Sequence, residues 1–238
     1  MARYALHLFG GFELERDEQT VDVPPSSQRL LGFLALHERG LVRGYVAASL
    51  WPDTTDEKAG ANLRTALWRL NRPELDLIAT AHGQLSLRPD VWVDARAVRR
   101  ASREHRLRRV PPAPEVLAEI RGELLPGCWD SWLVFERERL RQEAVHLLEA
   151  ACATSVAEGN TEQAVLYALA AVECDPLRET ANTWVVRAHL AAGNRADAAR
   201  HARRYAALLH DELGLDPPGL IDELLWPRPL AAVSAVPA

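Results

Sequence analysis

Two twelve-residue stretches, AEGNTEQAVLYA at 157–168 and AAGNRADAARHA at 191–202, repeat one another at a distance of 34 positions. Gly159, Asn160, Ala164 and Ala168 recur as Gly193, Asn194, Ala198 and Ala202. A repeat of that length is one helix–turn–helix pair, too small to bury its own apolar face. It is stable only when stacked on neighbours. The glycine ends one helix, and the small alanines let the next pack closely. The spacing predicts antiparallel helices over roughly 129–157, 161–173, 177–192 and 195–213, with a short last one near 218–225. Asp175-Pro176 and Asp216-Pro217-Pro218 act as stops between them. The stretch after Pro227 has no pattern and is expected to be disordered.

The region ahead of the repeats reads differently. Tyr4–Leu14 has strand character broken by Gly10-Gly11, and Thr20–Val23 is a second short strand. Ser26 or Ser27 is positioned to cap a helix, SSQRLLGFLALHE, which Arg39-Gly40 ends. A short helix follows over VRGYVAASLW, with no side-chain acceptor at its cap position, Val42. Past the acidic turn at 53–57, where Thr54, Thr55 or Asp56 can cap, comes KAGANLRTALWRLNR at 58–72. Leu75–Thr80 and Leu85–Leu87 then pair as a hairpin about Ala81-His82-Gly83-Gln84, and Val91-Trp92-Val93 is a last extended piece. The order is strands, three helices, hairpin. It predicts a helix-turn-helix with the hairpin as a wing.

The helix at 58–72 carries the functional expectation. At 100° per residue Leu63, Leu67 and Leu70 share one face, flanked by Ala59 and Ala66. The opposite face holds Ala61, Thr65, Trp68 and Arg72, edged by Lys58, Arg64 and Arg69, with no acid in the stretch. Such a face suits a major groove, with arginines for phosphates and guanine edges and small residues for close approach. A basic surface helix of no special function fits the same residues. Trp68 could pack on sugars, on the wing or against the second domain. Arg43 and Tyr45 stand at the positive end of the preceding helix, where a phosphate would be held; simple exposure is the alternative.

Charge has to be read locally. The whole chain is at −5, and residues 1–92 hold ten Lys/Arg against twelve Asp/Glu. Any DNA binding rests on one basic face, not on overall attraction. Arg96, Arg99/Arg100, Arg103 and Arg106 follow helical spacing between the two regions. That stripe reads as a solvated face, or as a row along phosphates if its helix flanks DNA. Trp51, Trp129, Trp132 and Trp184 read as packing residues, and His189 and His201 as helix-surface residues.

The three cysteines, Cys128, Cys152 and Cys174, have neither metal-ligand nor disulfide spacing. The dispersed histidines, with no HExxH, GxSxG or P-loop, give no enzyme, no cofactor and no metal site. With no signal peptide and no long apolar run, the expectation is a cytoplasmic protein without a membrane partner.

On LHLFGGFEL, QRLLGFLAL, SLWPD and ANLRTALWRL, residues 5–94 resemble the winged-helix domain of the antibiotic-regulatory (SARP) family of bacterial transcriptional activators. RGELLPG, WLVFERERLR and the run from DPLRETANTWVVRAHL to HDELGLDPP resemble that family's second module, the bacterial transcriptional activator domain. The implied fold class is mainly α: an N-terminal winged helix (α+β), then an all-α tetratricopeptide-like repeat domain. The implied division is 1–94, 95–227 and a tail at 228–238. The resemblance implies that Arg64, Thr65, Trp68, Arg69 and Arg72 face double-stranded promoter DNA, with Lys58, Arg43 and Arg88 as flanking candidates. It further implies direct-repeat sites near promoters of secondary-metabolite gene clusters, a homodimer or cooperative assembly on DNA, and contact with RNA polymerase. The wing departs from the family pattern. Where TRGPGYRL is common, this chain has Thr80 to Leu87, TAHGQLSL, so its arginines are gone and His82, Gln84 and Arg88 are the polar residues left. Fewer cations release fewer counterions and weaken binding by one copy. Two rivals stand beside this reading: a repeat-type protein-interaction module, and a ligand-responsive regulator.

Overall fold

The computed structural model describes residues 3–72, 75–120, 122–216, 219 and 221. Contacts gather the chain into two compact units that divide between Leu147 and Leu148.

The first unit begins with β1 (Tyr4–His7), β2 (Glu13–Arg16) and β3 (Gln19–Thr20), followed by α1 (Pro25–Ala35). β4 (Leu41–Val42), α2 (Arg43–Leu50) and α3 (Asp56–Leu70) come next. The hairpin is β5 (Ile78–Ala81) and β6 (Gln84–Leu87), and β7 (Trp92–Val93) runs directly into α4 (Asp94–Arg108). A short α5 (Pro114–Ala118) precedes α6 (Ser131–Ala157), which starts in the first unit and ends in the second. The strands form two sheets. One has the order β3-β2-β1-β7, antiparallel except for the parallel β1/β7 pair; the other has the order β4-β6-β5.

Two strands are shorter than the sequence suggested. β1 stops at His7 because the chain turns away: Phe9 bridges to Leu124, and Gly10 donates to the Glu123 carbonyl with φ +78°. β3 holds only Gln19–Thr20, closed by a two-residue turn in which Asp17 and Glu18 both have positive φ. The two-residue turn about His82-Gly83 also has positive φ at both positions (50° and 75°), which matches the twist of a hairpin. β4 was not anticipated. It pairs Leu41 with Leu85 and Val42 with Gln84, so the chain entering α2 is stitched to the wing. Gly40, just ahead of β4, lies against the first residue of β6: a Cβ there would stand 2.8 Å from Gln84 Oε1.

α1 is the centre of this unit. Leu30, Leu31, Phe33, Leu34, Ala35 and Leu36 are all buried, so the expected stripe widens to nearly the whole helix. Neither serine caps it. Pro24 takes that position and Pro25, its φ preset, is the first helical residue. Ser27 therefore falls inside the first turn, fully buried, and donates to the Ala66 carbonyl of α3. The helix also ends earlier than expected, at Ala35, and no basic residue of its own sits in the last turn.

What satisfies that end comes from α4. Arg96 donates to the carbonyls of Ala35 (2.7 Å), Leu34 (3.1 Å) and His37 (2.8 Å). Arg99, buried, donates to the Leu36 carbonyl at 2.8 Å and pairs with Glu136 of α6. The arginine stripe is thus neither a solvated face nor a phosphate row over its first turns: two of its members close the C-terminus of α1. Further along, Arg103 meets Glu38, and Arg100, Arg106, Arg108 and Arg109 are exposed. At the start of α4 the fully buried Asp94 accepts hydrogen bonds from the backbone N–H groups of Leu8 (2.6 Å), Phe9 (2.9 Å) and Ala95 (2.5 Å). Burial pushes its carboxyl above the usual range, against the pull of those donors. On α1's first half Arg29 holds Asp130 and the Leu50 carbonyl that ends α2.

The tryptophans divide. Trp132 packs edge-on to Phe33 (5.1 Å), and Trp184 packs in the second unit under Arg187. Trp51 is only half-buried, and Trp129 is 87% exposed because Trp132, three residues on, fills the position against Phe33.

The second unit holds the end of α6 with α7 (Thr161–Cys174), α8 (Glu179–Ala191) and α9 (Arg195–Leu213). All four expected helices agree with these bounds within two residues. The helix expected at 218–225 and the tail after Pro227 lie outside the described residues, apart from 219 and 221. The repeated alanines behave as the spacing requires: Ala164, Ala168, Ala198 and Ala202 are all buried. Gly159 and Gly193, at φ +77° and +76°, end their helices in the left-handed conformation that suits glycine.

His201 is not a surface residue. It is buried in the stripe Ala198, Ala202, Tyr205 and Leu209, and its Nε2 lies 2.9 Å from Asn182 Oδ1 of α8. Asn182 donates in turn to the carbonyls of Pro176 and Arg178. Burial, with Arg204 and His189 acting the same way, brings the imidazole down to about 4. A pKa lowered by folding means that the unfolded chain binds the proton first. Stability contributed by neutral His201 is present above about pH 6.5 and is lost as pH falls toward 4. At about 1.4 kcal/mol per unit the full loss is about 3 kcal/mol. Urea melts of the wild type should weaken by that order between pH 7 and 4. His201→Gln, compared over the same range, should show a correspondingly flatter acid limb; an unchanged limb would remove His201 as its cause.

Candidate nucleic-acid interface

α3 begins two residues before the basic stretch. Thr55 caps it, accepting from the Lys58 backbone N–H at 3.4 Å, and Asp56 and Glu57 occupy the first turn where negative charge suits the helix dipole. Ala59, Leu63, Ala66 and Leu70 are buried, and Leu67 is half-buried. The opposite side is open. Lys58, Arg64, Thr65, Trp68, Arg69 and Arg72 are all exposed, Trp68 to 75%.

Each of these side chains has a definite setting. The Thr65 hydroxyl donates back to the Ala61 carbonyl at 3.1 Å, which leaves its methyl as the outward group. Arg69 Nη1 donates to Ser26 Oγ at 3.2 Å, so the serine expected to cap α1 instead orients an arginine on α3. Arg64 folds along its own helix past Gly60, where an added Cβ would come within 3.6 Å of the guanidinium. Arg43, half-buried at the start of α2, and Arg64 both line two clefts. One, of about 380 Å³, runs between α3 and the hairpin and includes Trp68, Asn71, Asp76 and Thr80. The other, of about 570 Å³, lies between α2 and α3 and includes Tyr45, Asp56 and Gly60. The two arginines form the ridge between the clefts.

The wing differs. Arg88 is held by Asp76 (3.1 Å) and Asp90 (3.3 Å), so its charge is largely answered within the hairpin. His82 and Gln84 are exposed at the tip. Sequence reasoning gave Arg39 only the role of ending α1. It is exposed in the bend two residues before β4, the strand that pairs with the wing, and joins the cationic candidates.

No group of three or more His, Cys, Asp or Glu positioned to hold a metal occurs among the described residues. No described helix is long and apolar enough to cross a membrane.

Comparison with known proteins bears on both units. A profile of the bacterial transcriptional activator domain matches residues 89–225, more than half of the chain. Among solved structures, Mycobacterium tuberculosis EmbR in complex with a low-affinity phosphopeptide is similar over 97% of this chain and 67% of its own, with a TM-score of 0.65 and 22% identity. At that identity the likeness is one of fold. A comparison with curated protein sequences gives no match. With a winged helix placed ahead of that matched domain, the chain belongs to the bacterial transcriptional activator domain family, as a transcriptional regulator of the SARP type.

Proposed function

We propose that the protein is a sequence-specific DNA-binding activator that lays α3 in a major groove of promoter DNA. The observation that carries this reading is the open face of α3, where Arg64, Thr65, Trp68, Arg69 and Arg72 stand exposed over a buried leucine and alanine stripe. Arg64 and Arg69 are the base-edge readers, and the Thr65 methyl suits a thymine. Lys58, Arg72 and Arg43, at the start of α2, hold phosphates. Arg88, tied to two acids, contributes least.

The helical second module serves self-association on repeated sites and contact with RNA polymerase, in the cytoplasm. Genes of secondary metabolism are the proposed targets, on the strength of the SARP type.

The test is a gel-shift titration on the promoter DNA beside the protein's own gene. Arg64→Ala and Arg69→Ala should each weaken specific binding by about 1–3 kcal/mol, roughly tenfold or more. With Lys58, Arg43 and Arg72 on phosphates, log K should fall against log salt with a slope of about −3. Unchanged promoter affinity in both alanine variants would remove α3 from the interface.

A further inference from the structure

The second unit is electrically lopsided. Residues 150–177 contain no lysine or arginine but carry Glu158, Glu162, Glu173 and Asp175. α9 is the reverse, with Arg195, Arg200, Arg203 and Arg204 near its start against the single acid Asp197.

The geometry sharpens this asymmetry into two faces. On α7, Glu162, Leu166, Leu169 and Glu173 are spaced four, three and four residues apart, which places them in one stripe along the helix. All four are exposed, Leu166 to 54% and Leu169 to 37%, while Ala164, Ala168 and Ala171 on the other side are buried. On α9, Ala196, Arg200, Arg203, Arg204 and Ala207 are exposed, opposite the buried stripe of His201, Ala202 and Tyr205. Arg200 is paired within its own helix, to Asp197 at 2.9 Å, and Arg203 donates to the Ala199 carbonyl. Among the described residues, Glu162, Glu173, Arg203 and Arg204 have no ion-pair partner. One face offers two leucines between carboxylates. The other offers guanidinium groups between alanines, where a partner helix can approach closely.

We propose that these two faces meet between copies, with α7 of one chain docked on α9 of a second, head to tail. The leucines cover the alanine positions, and the unpaired glutamates meet the unpaired arginines. Such a contact is heterologous: each copy in a pair keeps one face open, so further copies add in the same sense. Copies added in one direction match sites repeated in one direction on DNA. In that link to tandem sites the inference rests on the DNA-binding reading above; the contact itself does not need DNA.

Sedimentation of the full chain without DNA tests it. The wild type should self-associate, and more weakly at high salt. Glu162→Arg with Glu173→Arg, and separately Arg203→Glu with Arg204→Glu, should each weaken association tenfold or more. An equal mixture of the two double variants should associate again, because the unchanged α7 of one meets the unchanged α9 of the other and the two reversed faces also match in charge. Leu166→Ala with Leu169→Ala, a mild surface truncation, should weaken association without any charge reversal. A wild type that stays monomeric, double variants that associate like the wild type, or a mixture that stays dissociated while both variants melt like the wild type would each overturn the proposal. Affinity for a single-site DNA fragment should be the same in all these chains. Loss of single-site binding in the wild type would sink the DNA reading alone, and loss of association with single-site binding intact would sink the docking alone.

Discussion

Arg99→Ala is expected to destabilise the first unit by about 3–5 kcal/mol, seen as a lower urea midpoint with little change in slope. The magnitude follows from what the side chain leaves behind. Its guanidinium closes the Leu36 carbonyl at the end of α1 and neutralises Glu136, itself only partly exposed. Alanine would strand both: a carbonyl with no donor and a carboxylate with no counter-charge. Arg99→Met keeps the stem but not the donors and should be nearly as damaging, whereas loss of packing alone would make methionine close to neutral. Arg103→Ala, which breaks one exposed pair with Glu38, serves as the control and should cost no more than about 1 kcal/mol.

The second large effect is expected at Asp94. Its carboxylate is the acceptor for the N–H groups of Leu8 and Phe9, where the chain leaves β1, and for Ala95 at the start of α4. Asp94→Ala removes an acceptor from two donors that lie beside the buried side chains of Leu8 and Phe9, at about 1–3 kcal/mol for each unmet group. A loss of about 3 kcal/mol or more should appear in a thermal or urea melt. Asp94→Asn keeps one acceptor oxygen and should fall between alanine and wild type. Equal stability of the asparagine and alanine variants would mean that the hydrogen bonds are not what this residue contributes.

Much of this structure is written in local pattern. α3 and α6 to α9 follow from apolar spacing, from Gly159 and Gly193 as stops, and from the 34-residue repeat, because each depends on residues within a turn or two of one another. The open face of α3 was legible for the same reason. What escaped depends on partners far along the chain. Arg96 and Arg99 look like any charged stripe until α1 is seen to end with no basic residue, leaving its last carbonyls in need of donors. β4 is two residues long and exists because β6, over forty positions later, pairs with it. Ser26 and Ser27 both suit a cap since serine favours that place, but Pro25 fixes the helix start ahead of them. His201 stands in register with Ala198, Ala202 and Tyr205, a position that marks it as buried despite its polarity. Nothing local distinguishes Trp129 from Trp132, of which Phe33 accommodates the second.

The closure of α1 by α4 also sets where such proteins can be cut and rejoined. A graft that joins the first three helices of one relative to the helical module of another after Val93 would bring a foreign α4 beneath a native α1. The donors of Arg96 and Arg99 would then have to find carbonyls whose positions were set by a different core. A splice placed beyond α4 keeps donor and acceptor from the same parent, and chimeras built that way should inherit both the helices at the front of the unit and the floor on which they stand.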